Sequence, residues 1–396
     1  MRLGIIDQSV KGWAAGGSFT KSLLWGFNQA LGTRPEIQVV FFEAQTTNMV
    51  PKEFQAIKIP SNLRGKAKKA FFKQQNLDVI MPVRDYSVPT EISPSVGWIP
   101  DFQHEYLHEF SDNSHRTFMR SLIAHLVKKC NLILLSSRSS KKQFESLFPK
   151  HRDKARVASF TSNLWGEPLS ENPVHIVEKY NLPKSFGLVA NQFWGHKNHK
   201  LLPEALSLLK RKGIEANLVL TGIPADFRDP ENSTVSELLQ LCQKFNVHSQ
   251  IFILGKTPYF EMVDFMRTAD FILQPSRWEG WSTSIEDAKA LGKPVLCSNL
   301  EVHREQAPQA IGFFDAESPE NLADVLQKSI PFQDKGWQPI KEREGLKSYQ
   351  KHVLEFGESL LKIADEAAKA RQPSKINKYL NNICKKIKTG FIKRKK

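Results

Sequence analysis

Short apolar runs alternate with longer amphipathic stretches along this chain, and the pattern occurs twice in succession, which restricts it to a layered α/β architecture. In the first half the runs at 3–6, 37–41, 56–59, 77–81, 95–99, 132–135 and 156–160 are rich in Val, Ile, Leu and Phe, as strands buried on both faces are. Helical periodicity fills 18–31, 64–75, 115–129 and 139–147 between them. A polar stretch with two prolines, 162–173, then breaks the rhythm. The second half resumes it with strands at 186–190, 217–221, 251–254, 270–274, 294–298 and 311–314, and helices at 199–212, 234–245, 259–268, 284–291 and 319–328. A chain of 396 residues exceeds what one hydrophobic core supports, and a 40% apolar share is enough for two. The expectation is therefore two doubly wound domains, residues 1–165 and 171–340, each with a parallel sheet.

The net charge of +15 is concentrated at one end: 375–396 holds nine basic residues and no acidic one. Within it Ile376, Tyr379, Leu380, Ile383, Ile387 and Phe391 recur at helical spacing among lysines, so 373–396 reads as a basic amphipathic tail suited to an anionic membrane surface. A second basic cluster, Arg64, Lys66, Lys68, Lys69 and Lys73, points the same way. Neither patch interleaves aromatic residues as a single-strand reader does, and no nucleic-acid partner is expected. The cysteines, Cys130, Cys242, Cys297 and Cys384, form no CxxC pair, and no run approaches the length of a membrane span. These features predict a cytoplasmic protein, with peripheral attachment through the tail.

Two loops carry most of the chemistry. In open parallel sheets ligands sit beyond the carboxyl ends of the strands. After the strand ending at Gln274 comes RWEGWSTSIEDAKALGKPV, residues 277–295, a turn leading into a helix. Gly280 allows close approach, Ser282 and Thr283 offer hydroxyls and amide N–H groups, and Glu279 suits sugar hydroxyls, which carboxylates accept well. After the strand ending at Ala190 comes NQFWGHKNH, 191–199, where Lys197 supplies a point charge for a phosphate and Gln192 and His196 add hydrogen-bonding groups.

Together these loops resemble the retaining glycosyltransferases of the GT-B fold, family 4. Glu279, Gly280, Ala288, Ala290, Gly292, Pro294 and Val295 fit that family's E-x7-E signature without a gap, with Asp287 in place of the second glutamate. Lys197 fits the family's diphosphate-binding lysine, and Gln192 stands where an arginine is expected. The resemblance implies two Rossmann-like domains facing a central cleft, the amino-terminal one receiving the acceptor and the carboxy-terminal one the nucleotide sugar, with helices from about 341 returning to the first. It implies that Lys197 and Glu279 act in catalysis, that Gln192, His196, Ser282, Thr283 and Asp287 bind the donor, with Asp287 on the ribose, and that Gly16 and Gly17 form a loop at the transferring sugar or acceptor. His104, in the loop GWIPDFQHEY at 97–106, is assigned to the reacting centre.

The expected activity is transfer of a sugar from a nucleotide-diphosphate sugar to a glycan or lipid-linked hydroxyl with retention, as in polysaccharide or lipopolysaccharide assembly. No cofactor and no essential metal are expected, since GT-B relatives lack a DxD motif. Three alternatives share the crevice: a nucleotide-sugar epimerase, a phosphorylase dependent on pyridoxal phosphate, and a catalytically silent sugar-nucleotide-binding scaffold.

Overall fold

A computed structural model describes residues 1–9, 14–32, 34–43, 50–164, 168–226, 233–330 and 334–370. The basic tail at 373–396 lies outside the described residues.

Seven strands, β1 (Arg2–Ile6), β2 (Gln38–Glu43), β3 (Gln55–Lys58), β4 (Val79–Val83), β5 (Ser95–Ile99), β6 (Leu132–Leu135) and β7 (Ala155–Val157), form one sheet. Its order is β3-β2-β1-β4-β5-β6-β7, every pairing parallel. The second sheet contains β8 (Gly187–Ala190), β9 (Leu218–Thr221), β10 (Ile251–Gly255), β11 (Phe271–Gln274), β12 (Val295–Ser298) and β13 (Gly312–Phe314). Its order, β10-β9-β8-β11-β12-β13, repeats the same reversal beside the first strand, again wholly parallel. That reversal is the switch point at which helices leave on opposite faces and a crevice opens. The fold is thus the two-lobed α/β architecture expected from the alternation.

The helices are α1 (Ala14–Leu31), α2 (Gly65–Gln74), α3 (Gln103–Tyr106), α4 (Asn113–Lys129), α5 (Arg138–Leu147), α6 (His175–Lys179) and α7 (Leu202–Arg211). They continue with α8 (Ser233–Lys244), α9 (Tyr259–Thr268), α10 (Thr283–Ala290), α11 (Glu301–Gln306), α12 (Pro319–Ser329) and α13 (Pro339–Lys369). Among the described residues every expected strand is present, which follows from how fully their side chains are buried: β4, β5, β6, β9, β11 and β12 have no residue outside the core.

Three short helices, α3, α6 and α11, were not expected. They are too brief for a 3.6-residue period to register. Several boundaries also differ, two of them at expected site residues. Gly16 and Gly17, read as a loop, lie in the first turn of α1, where Thr20 Oγ1 donates to the Gly16 carbonyl at 3.1 Å and accepts from the Gln8 N–H at 2.9 Å. The helix expected from 199 starts at Leu202. Before it come two 3-10 turns, 195–197 and 199–201, separated by Asn198 in the left-handed region at φ 61°. Asparagine tolerates that conformation because its short polar side chain bonds locally, and Asn198 Nδ2 donates to the carbonyls of Pro275 (3.1 Å) and Ala316 (2.8 Å).

One helix couples the lobes. Tyr349 and Val353 of α13 are buried in the core of the second lobe, and Phe356, Leu360, Leu361, Ile363, Ala364 and Ala367 in that of the first. Its start is anchored by Arg267, buried on α9, which donates to Glu342 at 2.8 and 3.0 Å and to Asp264 at 3.0 Å. The crossover between lobes is pinned to the same helix by Tyr349 Oη donating to the Ser162 carbonyl at 2.9 Å.

Candidate active site in the interdomain cleft

The carboxyl ends of β8 and β11 are neighbours in the second sheet, so the loops that follow them must meet. They do so at Glu279. Its Oε1 accepts from Lys197 Nζ at 2.5 Å, from Gln274 Nε2 at 2.7 Å and from Ser276 Oγ at 2.7 Å. The Glu279 side chain is 8% exposed and that of Lys197 15%. A nearly buried charge pair is tolerated only with hydrogen bonds such as these around it. Gln274 and Ser276 went unremarked in the sequence, although a polar residue closing the otherwise apolar run FILQ is a legible sign.

The opposite wall comes from the first lobe. A Cβ on Gly280 would lie 2.1 Å from the Pro100 carbonyl oxygen and 3.0 Å from Asp101 Cβ, so the glycine beside Glu279 is required by contact between lobes. Around it Trp278 stacks on Tyr106 with ring centroids 5.0 Å apart, and Trp281 Nε1 donates to the Phe160 carbonyl at 3.0 Å. Arg277 lies over Phe110, reaches Glu109 at 3.4 Å and pairs with Glu317 at 2.6 Å. Phe110 in turn presses on Gly195, where a Cβ would stand 2.6 Å from its ring. A further contact joins the lobes at α11: the Glu305 carboxylate accepts the N–H groups of Arg138 (2.9 Å) and Ser139 (3.1 Å) at the start of α5.

The remaining residues expected at the site are distributed as follows. His196 is buried, its carbonyl accepting the Arg277 N–H at 2.8 Å, and Gln192 lies half-buried on the same loop. Ser282 caps α10, and its backbone N–H donates to Gln306 Oε1 at 3.0 Å while its carbonyl accepts from Gln306 Nε2 at 2.7 Å. That amide is therefore committed to Gln306 rather than presented to an anion. Thr283, the first residue of α10, is half-buried. His104 is buried on α3 with its Nε2 3.5 Å from Glu105, which is held by Arg120 at 2.7 and 2.8 Å. Burial holds the His104 ring below its ordinary pKa, with Glu105 opposing and His115 and Arg120 assisting. The first-lobe atoms that a Cβ at Gly280 would meet are those of Pro100 and Asp101, and Gly16 and Gly17 sit in a helix turn, not in a loop.

Asp287 turns to the crossover. Its Oδ1 accepts from Ser162 Oγ at 2.5 Å and from the Asn163 N–H at 3.4 Å, and it is 3% exposed. Burial pushes its carboxyl up to about 6, against the pull of the Ser162 and Asn163 hydrogen bonds. A carboxyl whose folded value lies above its unfolded one adds stability that is complete below about pH 4 and is lost as pH rises through about 6. Two units correspond to about 3 kcal/mol at most. Asp287→Asn should therefore flatten the fall in melting temperature between pH 4 and 6 and leave the variant more stable than wild type at pH 7. Thermal denaturation across that range measures it, and an unchanged slope would exclude this carboxyl as the source.

Among the described residues no cluster of His, Cys, Asp and Glu is placed to hold a metal ion, and no helix is long and apolar enough to cross a membrane.

Residues 176–347, which include both Lys197 and Glu279, match the family described as glycosyl transferases group 1. The chain is 24% identical over 276 residues to O-antigen chain mannosyltransferase B of Escherichia coli, covering 68% of this chain and 69% of that one. It is 28% identical over 200 residues to an N,N'-diacetylbacillosaminyl-diphospho-undecaprenol alpha-1,3-N-acetylgalactosaminyltransferase of Campylobacter jejuni, covering 50% of this chain and 43% of the relative. Two shorter curated matches span only 34% and 25% of their proteins' lengths. In three dimensions an Anabaena protein, HepE, solved with UDP and glucose, superposes with a TM-score of 0.64 at 14% identity over 92% of this chain and 100% of the other. Residues 176–347 are thus similar to the glycosyl transferases group 1 family, within a chain that has the two-lobed GT-B fold.

Proposed function

We propose that this protein transfers a sugar from a nucleotide-diphosphate sugar to a hydroxyl of a glycan or lipid-linked acceptor, with retention of anomeric configuration. The observation that carries the reading is the meeting of Lys197 and Glu279, from two different strand-end loops, against the Pro100–Asp101 wall of the other lobe. Without ligand the two charges neutralise one another. A bound donor offers each a better partner: the diphosphate takes the ammonium, and sugar hydroxyls donate to the carboxylate that Gln274 and Ser276 hold in place. As the glycosidic bond breaks, negative charge grows on the departing diphosphate, so a fixed cation there stabilises the transition state more than the ground state. Gln192 and His196 on the same loop, and the Ser282 and Thr283 hydroxyls, are assigned to the donor. Asp287 has the family's place for holding the ribose, which would require it to share or leave Ser162.

Retention is assigned to attack from the face that the diphosphate leaves, with a diphosphate oxygen taking the acceptor's proton. Asp101 and His104 belong to the wall from which the acceptor approaches. No metal enters this scheme. The relatives support the acceptor class by their names, which specify an O-antigen chain and a diphospho-undecaprenol.

A thermal-shift screen against UDP, GDP, ADP and TDP sugars tests the proposal. A ligand that binds only the folded state stabilises it by about 2.7 kcal/mol at one hundred times its dissociation constant. One nucleotide series should raise the melting temperature with saturation. No shift from any nucleotide sugar would remove the donor assignment, and donor epimerised without acceptor would replace transfer by epimerisation.

A further inference from the structure

We propose that His303 selects the donor sugar, its Nε2 accepting a hydrogen bond from one sugar hydroxyl beside Glu279. This deepens the reading above and rests on it. His303 lies on α11, just beyond the carboxyl end of β12, and is 0% exposed. Its Nδ1 is 2.9 Å from the Ser298 carbonyl oxygen and 3.1 Å from Ser298 Oγ. A carbonyl only accepts, so Nδ1 carries the proton and Nε2 is left as a bare lone pair. That Nε2 is buried and has no hydrogen-bond partner among the described residues.

The ring belongs to the Glu279 network. Ser298 Oγ donates to the Ser276 carbonyl at 2.5 Å, and Ser276 Oγ donates to Glu279 at 2.7 Å. Through Ser298 and Ser276 the ring is thus linked to Glu279, and burial lowers its affinity for a proton. His199, also fully buried, differs: it stacks flat on Phe193 at 4.5 Å, and among the described residues neither of its ring nitrogens joins such a chain.

A buried acceptor with no donor is costly, and such groups persist where a ligand satisfies them. A phosphate oxygen has no hydrogen to give and would be repelled by the lone pair. A sugar hydroxyl has one. Glu279 takes one hydroxyl and His303 another, so the pair reads the positions of two hydroxyl groups on the hexose. A site built to bond a hydroxyl rejects the analogue lacking it strongly, because its own polar group is then left unpaired.

Two near-isosteric variants separate this role from a packing role. His303→Asn keeps the donor to Ser298 and removes the acceptor at the Nε2 position, whereas His303→Gln keeps an acceptor there. Steady-state kcat/KM is measured with the nucleotide sugar that wild type accepts and with its monodeoxy analogues. His303→Asn should lower kcat/KM for the parent sugar about tenfold or more while leaving one monodeoxy analogue nearly unaffected, so that discrimination at that position collapses. His303→Gln should keep most of it. Wild-type discrimination in His303→Asn overturns this proposal alone. Failure of the wild-type enzyme to bind any nucleotide sugar overturns both it and the reading of the site.

Discussion

Lys197→Ala should lower kcat by two to three orders of magnitude. Removing one preorganised donor at a developing anion costs about 2.7–4 kcal/mol of transition-state stabilisation, and Lys197 is the cation that two strand-end loops fix at this point. The structure adds a stability effect that the sequence alone did not suggest. With the ammonium gone, Glu279 keeps Gln274 and Ser276 but loses its counter-charge at 8% side-chain exposure. Breaking a fully buried pair costs about 3–5 kcal/mol; at the edge of a cleft, with two hydrogen bonds retained, about 1–2 kcal/mol is expected. The double variant Lys197→Ala, Glu279→Gln removes the stranded charge. It should regain most of the stability and none of the turnover. Denaturant titration and steady-state rates on the single and double variants form the cycle that separates the two effects. If the double variant is no more stable than Lys197→Ala, the pair is not what holds the loops together.

The largest loss of stability is expected from Gly357→Ala. Helix propensity alone favours the change by about 1 kcal/mol. Packing opposes it. A Cβ at 357 would stand 1.8 Å from the Gly26 carbonyl oxygen and 2.9 Å from Ala30 Cβ, where α13 crosses α1, and backbone cannot rotate aside as a flexible side chain can. The helix must lift, taking with it the face that buries Phe356, Leu360 and Ala364 in the core of the first lobe. Overpacking costs about 1–3 kcal/mol where side chains can adjust, so with a backbone clash a net loss of about 3 kcal/mol or more is expected. Glu358→Ala, one residue along but outside the buried set of α13, should change stability by less than about 0.5 kcal/mol. Urea unfolding of both variants decides the matter, and a Gly357→Ala protein as stable as wild type would mean that α13 is not seated on α1 in solution.

These two variants fall on features of different legibility. Lys197 and Glu279 could be read from the sequence because each follows an apolar strand, and strand ends in a parallel sheet point to one crevice. The strands themselves were legible because they are buried on both faces. What escaped notice depends on contacts between distant parts of the chain. Asp287 meets Ser162 across 125 residues and Gln306 meets Ser282 across 24, and nothing local to any of the four signals the pairing. His303 sits on a six-residue helix, EVHREQ, whose sequence has no apolar periodicity to mark it. Gly16 and Gly17 misled for the opposite reason: two glycines after a strand suggest a turn, but here they occupy the start of α1.

The central claim is that the cleft at Lys197 and Glu279 receives the diphosphate of an activated sugar. Calorimetric titration of the nucleotide sugar identified by thermal shift, into wild type and into Lys197→Ala, tests it most directly. Saturable one-site binding to wild type and at least tenfold weaker binding to the variant are expected, with the difference shrinking as salt screens the charge. Equal affinity of the two proteins would contradict it.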